Sequence, residues 1–329
     1  MSENGKESLK TMFVRKMLIA TTALVILLVI YILPNRDNEY SLELLTKQKL
    51  EYVEFTNDVN YIYLLDSNNY VAGTTIALVN KPATTEERIR LLLESIIIGG
   101  KKQNAVPNGF RAIIPAGTRI LDIKIEDDLV KVNFSKELLD TREEYEEKIL
   151  EALIYTITSV KGVNRVSISV EGVSLTQLPK TNIFLPLIMD KSIGINKEYN
   201  LIDTNNITSV TIYYLNKINN NIYYVPVTKY LNGKKDKIKI IIDELAGGPI
   251  YETNLMSFLS ANAKLLAYSE EDNKILLNFN EYIFNDIEEK NILEEVSYSI
   301  AYSIFDNYNV KEVVFRVNNE IIKSIKKDI

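Results

Sequence analysis

The chain has 329 residues and a net charge of −6, with 25% charged and 46% hydrophobic residues. That length and composition fit two globular domains after a short leader and exclude a wholly disordered chain. The charge is divided: residues 1–33 carry a net +2 and the remainder −8. An acidic body lacks the electrostatic footprint of a nucleic-acid binder. There is no histidine, the commonest general base and metal ligand, and no cysteine to form a disulfide or carry a thiol-linked lipid.

Residues 1–16 are the polar, basic start of the chain, and Met17 to Leu33 follows without a charge. At helical rise this stretch covers roughly 26 Å, a slightly short membrane span. It is longer than a usual signal core, and the bulky Tyr31-Ile32-Leu33 that ends it offers no small-residue cleavage site. The sequence therefore predicts an uncleaved single-pass anchor at 17–33. Lys10, Arg15 and Lys16 precede it, whereas Arg36 is diluted by Asp37 and Glu39. That asymmetry puts the N-terminus in the cytoplasm and everything after Pro34 outside, at the cell membrane. Residues 34–59 read as a juxtamembrane stalk, with Leu42, Leu45, Leu50 and Val53 on one side of a short helix.

A first module is expected over residues 60–173. Tyr61–Leu65 and Tyr70–Val79 read as strands around a turn at Asp66-Ser67-Asn68-Asn69. Ile89, Leu92, Leu93 and Ile96 then share a helical face capped by Thr84 or Thr85 and stopped at Gly99-Gly100. Ile120–Glu126 and Val130–Phe134 alternate as paired strands. A long helix starts in Glu143-Glu144 and is striped by Ile149, Ala152, Leu153 and Ile157. Val166, Ile168 and Val170 close the module as a strand.

The same order then recurs. Lys131-Val132-Asn133-Phe134-Ser135 matches Leu276-Leu277-Asn278-Phe279-Asn280, and Ile149–Ile157 matches Ile292–Ile300. Ile89–Glu94 before Gly99-Gly100 matches Ile238–Asp243 before Gly247-Gly248. Offsets of 143 to 149 residues are too long for a solenoid and right for a duplicated domain. The second module is expected over 209–322, with a basic tail at 323–329. Each copy reads as ββαββαβ, an α+β arrangement of helices on a mostly antiparallel sheet. The linker at 174–208 is too long for a bare loop, and its apolar Ile183-Phe184-Leu185 and Leu187-Ile188-Met189 predict packing along a module.

The run from Leu91 through Gly99-Gly100, Ile114-Pro115-Ala116-Gly117-Thr118 and Val130–Leu138 resembles the GerMN domain. Two such domains behind a membrane segment resemble the GerM-like sporulation and germination proteins of endospore formers. The likeness covers most of 60–173 and, more weakly, 210–321, where Ser260 replaces Pro115 and Ala261-Asn262 replaces Ala116-Gly117. It implies a non-enzymatic assembly module, similar to ring-building domains of the complex joining mother-cell and forespore membranes. Better-known members carry a lipid-anchoring cysteine; here the 17–33 helix takes that place.

Other motifs favour structural roles. Ser324-Ile325-Lys326-Lys327 has the spacing of an acyl-transfer nucleophile but sits in the basic tail. Asp66 with Asn68, and Glu126-Asp127-Asp128, have cation-ligand chemistry but turn positions, and Tyr70 and Val71 stand where a calcium loop needs a ligand and glycine. The glycine pairs follow helices, where phosphate cradles precede them. Asn133-Phe134-Ser135 and Asn278-Phe279-Asn280 read as buried strand ends with capping residues. Tyr213, Tyr214, Tyr223 and Tyr224 alternate on paired strands, so one of each pair faces outward for protein or glycan contact. No catalytic, cofactor-binding or metal residue is assigned. The leading expectation is an anchored extracytoplasmic scaffold with protein partners in an envelope complex. The rivals are a binding module for peptidoglycan or a receptor protein and, behind both, an envelope hydrolase.

Overall fold

The structure is a computed structural model of the chain and describes residues 14–18, 20–22, 24–25, 60–78, 82–100, 106–233, 236–249 and 253–327. The chain divides into two compact units, Met1–Thr56 and Asn57–Ile329. In the first, the described residues between 14 and 25 are helical and exposed. Among the described residues no helix is long and apolar enough to cross a membrane. The anchor expected at 17–33 runs past these residues, and the stalk expected at 34–59 lies outside them.

The second unit holds both copies. In the first copy, strands β1 (Asn60–Leu65) and β2 (Val71–Ile76) form an antiparallel hairpin. Helix α1 (Thr85–Ser95) follows, N-capped by the Thr84 side chain, which accepts from the Glu87 N–H. Strands β3 (Ile120–Glu126) and β4 (Leu129–Phe134) pair antiparallel, helix α2 (Glu143–Ile157) crosses over, and β5 (Arg165–Val170) returns parallel to β4. A helical crossover is what permits a parallel neighbour. A short β6 (Val173–Ser174) completes a four-stranded sheet in the order β3-β4-β5-β6.

The second copy has β7 (Glu198–Asn200), β8 (Ile207–Ile218) and β9 (Asn221–Asn232) in the order β7-β9-β8, then α3 (Lys237–Gly247). Strands β10 (Leu265–Glu271) and β11 (Lys274–Phe279), helix α4 (Glu294–Asn307), β12 (Glu312–Val317) and β13 (Glu320–Lys326) build a sheet ordered β10-β11-β12-β13. β11 and β12 are parallel, as β4 and β5 are. The α+β class holds, with two corrections. Each copy has two sheets, and the larger is mixed where a mostly antiparallel one was expected. Each copy also gains a last strand, so most of the tail expected at 323–329 belongs to β13, with Ile325 buried.

The repeated Asn-Phe-Ser/Asn motif explains itself. Phe134 and Phe279 are fully buried. The Asn133 side chain accepts from Gly172 N at 2.9 Å, and Asn278 from Asn319 N at 3.0 Å, each tying down its terminal hairpin. Ser135 Oγ accepts from Arg119 N at 2.9 Å, and Asn280 Oδ1 from Lys264 N at 3.0 Å, fixing the entry to β3 and β10.

One sequence match shifts. Thr156 Oγ1 on α2 accepts the Tyr63 N–H of β1 at 2.9 Å, and Ser303 Oγ on α4 accepts the Tyr213 N–H of β8 at 2.9 Å. Tyr155 packs edge-on against Tyr63 at 5.2 Å, as Tyr302 packs against Tyr213 at 5.6 Å. The equivalent residues are therefore Tyr155 and Tyr302, one helical turn from the sequence match of Tyr155 with Tyr298. An apolar stripe of helical period nearly repeats after four residues, so it tolerates this slip.

Candidate functional site

Three features built from both copies, or from the segment between them, bear on function. The first is a seam. Asp66 is fully buried and accepts the N–H groups of Asn68 and Tyr70, both at 2.8 Å, within its own turn. Its other oxygen takes Asn216 Nδ2 at 3.1 Å and the Tyr223 hydroxyl at 2.7 Å from the β8–β9 hairpin. A buried carboxylate demands such a set of donors. Asn196, at φ 45°, bonds both Val71 N and Val71 O at 2.8 Å and Pro226 O at 2.7 Å, bridging β2 to β9. Ala72 of β2 packs into the second core, and Phe110 contacts both cores. Gly109 has φ +92°, and a Cβ there would meet the Ile218 side chain at 2.3 Å.

The second feature is a cleft of about 340 Å³ beside that seam. Tyr63 and Thr74 of the first hairpin face Tyr213, Tyr224 and Tyr302 of the second copy. Lys191 Nζ lies 2.8 Å from Asp306 Oδ1 at its inner end, and the Tyr213 hydroxyl donates to Asp306 Oδ2 at 2.6 Å. Burial works against the Lys191 charge, yet Asp306 and Tyr63 hold its pKa above the ordinary value. Burial pushes the Tyr213 hydroxyl well above its usual range, reinforced by Asp306, so it stays a neutral donor. Lys326 and Lys327 stand at the rim. Lys327 Nζ donates to Phe305 O at 3.4 Å and lies over the Phe305 ring. Burial and the nearby Lys191 push its ammonium pKa down.

The third is a projecting turn within the segment 174–208. Gln177 bridges Phe184, and Leu178 N donates to Ile183 O at 2.9 Å. Glu146 of α2, nearly buried, pins this turn by accepting from Lys180 N at 2.9 Å and from Thr181 N at 2.7 Å and hydroxyl at 2.8 Å. Leu178, Met189 and Ile195 bury themselves as expected of a packed segment. Phe184 is instead 82% exposed, with Leu187 and Ile188 also exposed. The expectation that both apolar runs pack is thus met in part.

The sequence candidates fall elsewhere. Ser324 donates to Glu312 across the sheet, and on an extended chain Lys327, three residues on, faces the other way. Asp127, at φ 55°, forms its turn, while Asp128 is bound by Arg165, which holds its carboxyl below the usual range. Gly99 and Gly248 take positive φ after their helices. Among the described residues no cluster of three acidic groups is arranged for a metal ion. Of the four singled-out tyrosines, Tyr213, Tyr223 and Tyr224 line the cleft, while Tyr214 is fully buried. Lys191, Asp306 and Glu146 carried no sequence signal, because their partners lie 34 to 115 residues away.

The duplicated architecture agrees with what known proteins show. The pattern of the sporulation and spore germination family, Germane, matches residues 61–176 and 211–323. The chain belongs to this family. The spore germination protein GerM of Bacillus subtilis (strain 168) is 33% identical over 267 residues, covering 79% of this chain and 71% of that protein. The solved tandem GerMN domains of the sporulation protein GerM from Bacillus subtilis superpose with a TM-score of 0.73 at 31% identity, covering 80% of this chain and 92% of that one. The recognition made from the Leu91–Leu138 motifs therefore stands: this is a GerM-like chain with tandem GerMN domains.

Proposed function

We propose that this chain is a membrane-anchored, extracytoplasmic scaffold of sporulation or germination, without catalytic activity of its own. The observation that carries the reading is the exposed apolar group of Phe184, at the base of the pinned turn, with Leu187 and Ile188 just beyond it. Apolar side chains grouped in solvent have no packing role in their own chain, and such a patch suits contact with another protein. Glu146 fixes the adjoining turn through Lys180 and Thr181, so little entropy is lost when a partner covers the neighbouring Phe184. Family membership supports the process, and the names of the similar proteins refer to sporulation and germination.

The 17–33 segment supplies the anchor in this reading, with the N-terminus cytoplasmic and residues after 34 outside. Tethering confines both copies to a layer beside one membrane and raises their effective concentration for weak contacts. The occupant of the patch is a folded envelope protein. The test is Phe184→Asp combined with Leu187→Asp in sporulating cells. Surface changes of this kind leave the melting temperature nearly unaltered, within about 0.5 kcal/mol of stability. Crosslinked recovery of a protein partner and spore yield both fall. Unchanged recovery and spore yield would contradict the scaffold.

A further inference from the structure

The inter-copy cleft has a chemistry that the scaffold reading leaves unused. Its volume of about 340 Å³ lies in the range of small-ligand sites, which favour boundaries between domains. Lys191 has a carboxylate in Asp306, while Glu312, in register with Lys326, forms its ion pair with Lys274. Lys327 has no carboxylate within ion-pair distance among the described residues; it rests on a carbonyl and a ring. Among the described residues only the more distant Asp306 opposes this partly buried ammonium, which favours an anionic ligand over a cationic or purely apolar one.

The facing wall adds shape. Tyr224 and Tyr302 meet nearly perpendicular, at 88° and 5.1 Å, and Tyr302 also leans on Tyr213. This makes an aromatic corner that a flat ring can pack into. Thr74 also lines the cleft with its hydroxyl, and Ser159, whose proton goes to Tyr61 O and Thr156 O, can only accept. The Tyr224 hydroxyl has no hydrogen-bond partner among the described residues. A bare inorganic anion would use Lys327 and leave the aromatic and hydroxyl walls idle. A hydroxylated ring bearing one carboxylate uses all three.

We propose that this cleft binds a short glycan carrying a carboxylate, with Lys327 taking the carboxylate and the Tyr224–Tyr302 corner packing against a sugar ring. The ion pair of Lys191 with Asp306 closes the inner end and sets the depth of entry. Two sources share this chemistry: the lactyl carboxylate of wall glycan stripped of its peptide stem and the uronic carboxylate of other acidic polysaccharides. The site is separate from the Phe184 patch, so its failure and the failure of the scaffold reading are distinguishable.

The test is calorimetric titration of the full chain in detergent with three disaccharides: N-acetylglucosaminyl-N-acetylmuramic acid, a glucuronic acid–N-acetylglucosamine disaccharide, and neutral di-N-acetylchitobiose. At least one acidic disaccharide binds about tenfold more tightly than the neutral one, and the arm that binds identifies the source. Lys327→Gln abolishes that preference while the melting temperature is kept, and Tyr224→Leu weakens acidic and neutral sugars alike. Phe184→Asp leaves sugar binding unchanged. Equal binding of the neutral sugar, no binding of either acidic sugar, or an unaltered preference in Lys327→Gln would each overturn the proposal.

Discussion

The two copies share a scaffold and differ in their hairpins. The first pairs six residues of β1 with six of β2, whereas the second pairs twelve of β8 with twelve of β9. The added length carries Asn216 and Tyr223 out to Asp66 of the first copy. Duplication supplied the frame, and the extension of one hairpin supplied the seam. Where the copies agree, as at Phe134 and Phe279, the residues serve each core. Where they diverge, as at the hairpin tips, they serve the contact between copies.

This comparison is broken most forcefully at the repeated core. Phe134→Ala and Phe279→Ala each remove a fully buried ring, and each is expected to cost about 3–5 kcal/mol in denaturant unfolding. A large inequality would show that the two cores are not equivalent.

A second contrast lies at Glu151, which structural equivalence matches to Tyr298 of the second copy. Burial raises the Glu151 pKa to about 7 from an ordinary 4.5, against the opposing pull of Lys197 and the Asn196 N–H. The folded chain thus holds a proton that the unfolded chain releases between about pH 4.5 and 7. Stability from this group falls as pH rises through that window, and the full cost is in place above it. Glu151→Gln is expected to be more stable than the parent by roughly 2–3 kcal/mol at pH 8, with the advantage gone near pH 4. Chemical unfolding at the two pH values checks this. The corresponding Tyr298→Phe carries no such pH dependence.

The helical register is tested by smaller effects. Ser303→Ala leaves the Tyr213 N–H without its acceptor and is expected to cost about 1–3 kcal/mol, as is Thr156→Ala for Tyr63. The Ser299 hydroxyl is buried with no partner among the described residues, so Ser299→Ala is neutral or mildly stabilising, within about 0.5 kcal/mol. A costly Ser299 and a silent Ser303 would restore the match read in sequence.

Much of the fold was legible because its signals are local. Alternation in Ile120–Phe134, the stripe of Ile149, Leu153 and Ile157, and the turn at Asp127 each act within a few residues of chain. The partitioning into two sheets was not legible, since it depends on which strands meet after α1 and α3 intervene. The strand β13 was hidden because Lys323 and Lys326, with Lys327 just after it, give this stretch the composition of a tail, with Ile325 as its buried anchor. Asp66 was read as a turn residue, and it is one. Its second role needs Tyr223, 157 residues away, and no local pattern encodes that meeting. The same holds for the cleft, whose tyrosines stand out singly in the sequence but whose opposing wall comes from the other copy.

The central claim is that the seam joins the copies into one cooperative body. The direct measurement is native-state hydrogen exchange across residues 60–327, in the parent chain and in Asp66→Ala. The account predicts that core amides of β4 and β11 in the parent open together with a single global free energy. In Asp66→Ala, with Asn216 and Tyr223 stranded, the two sets separate into distinct openings. Separate opening already in the parent, unaltered by Asp66→Ala, would contradict it.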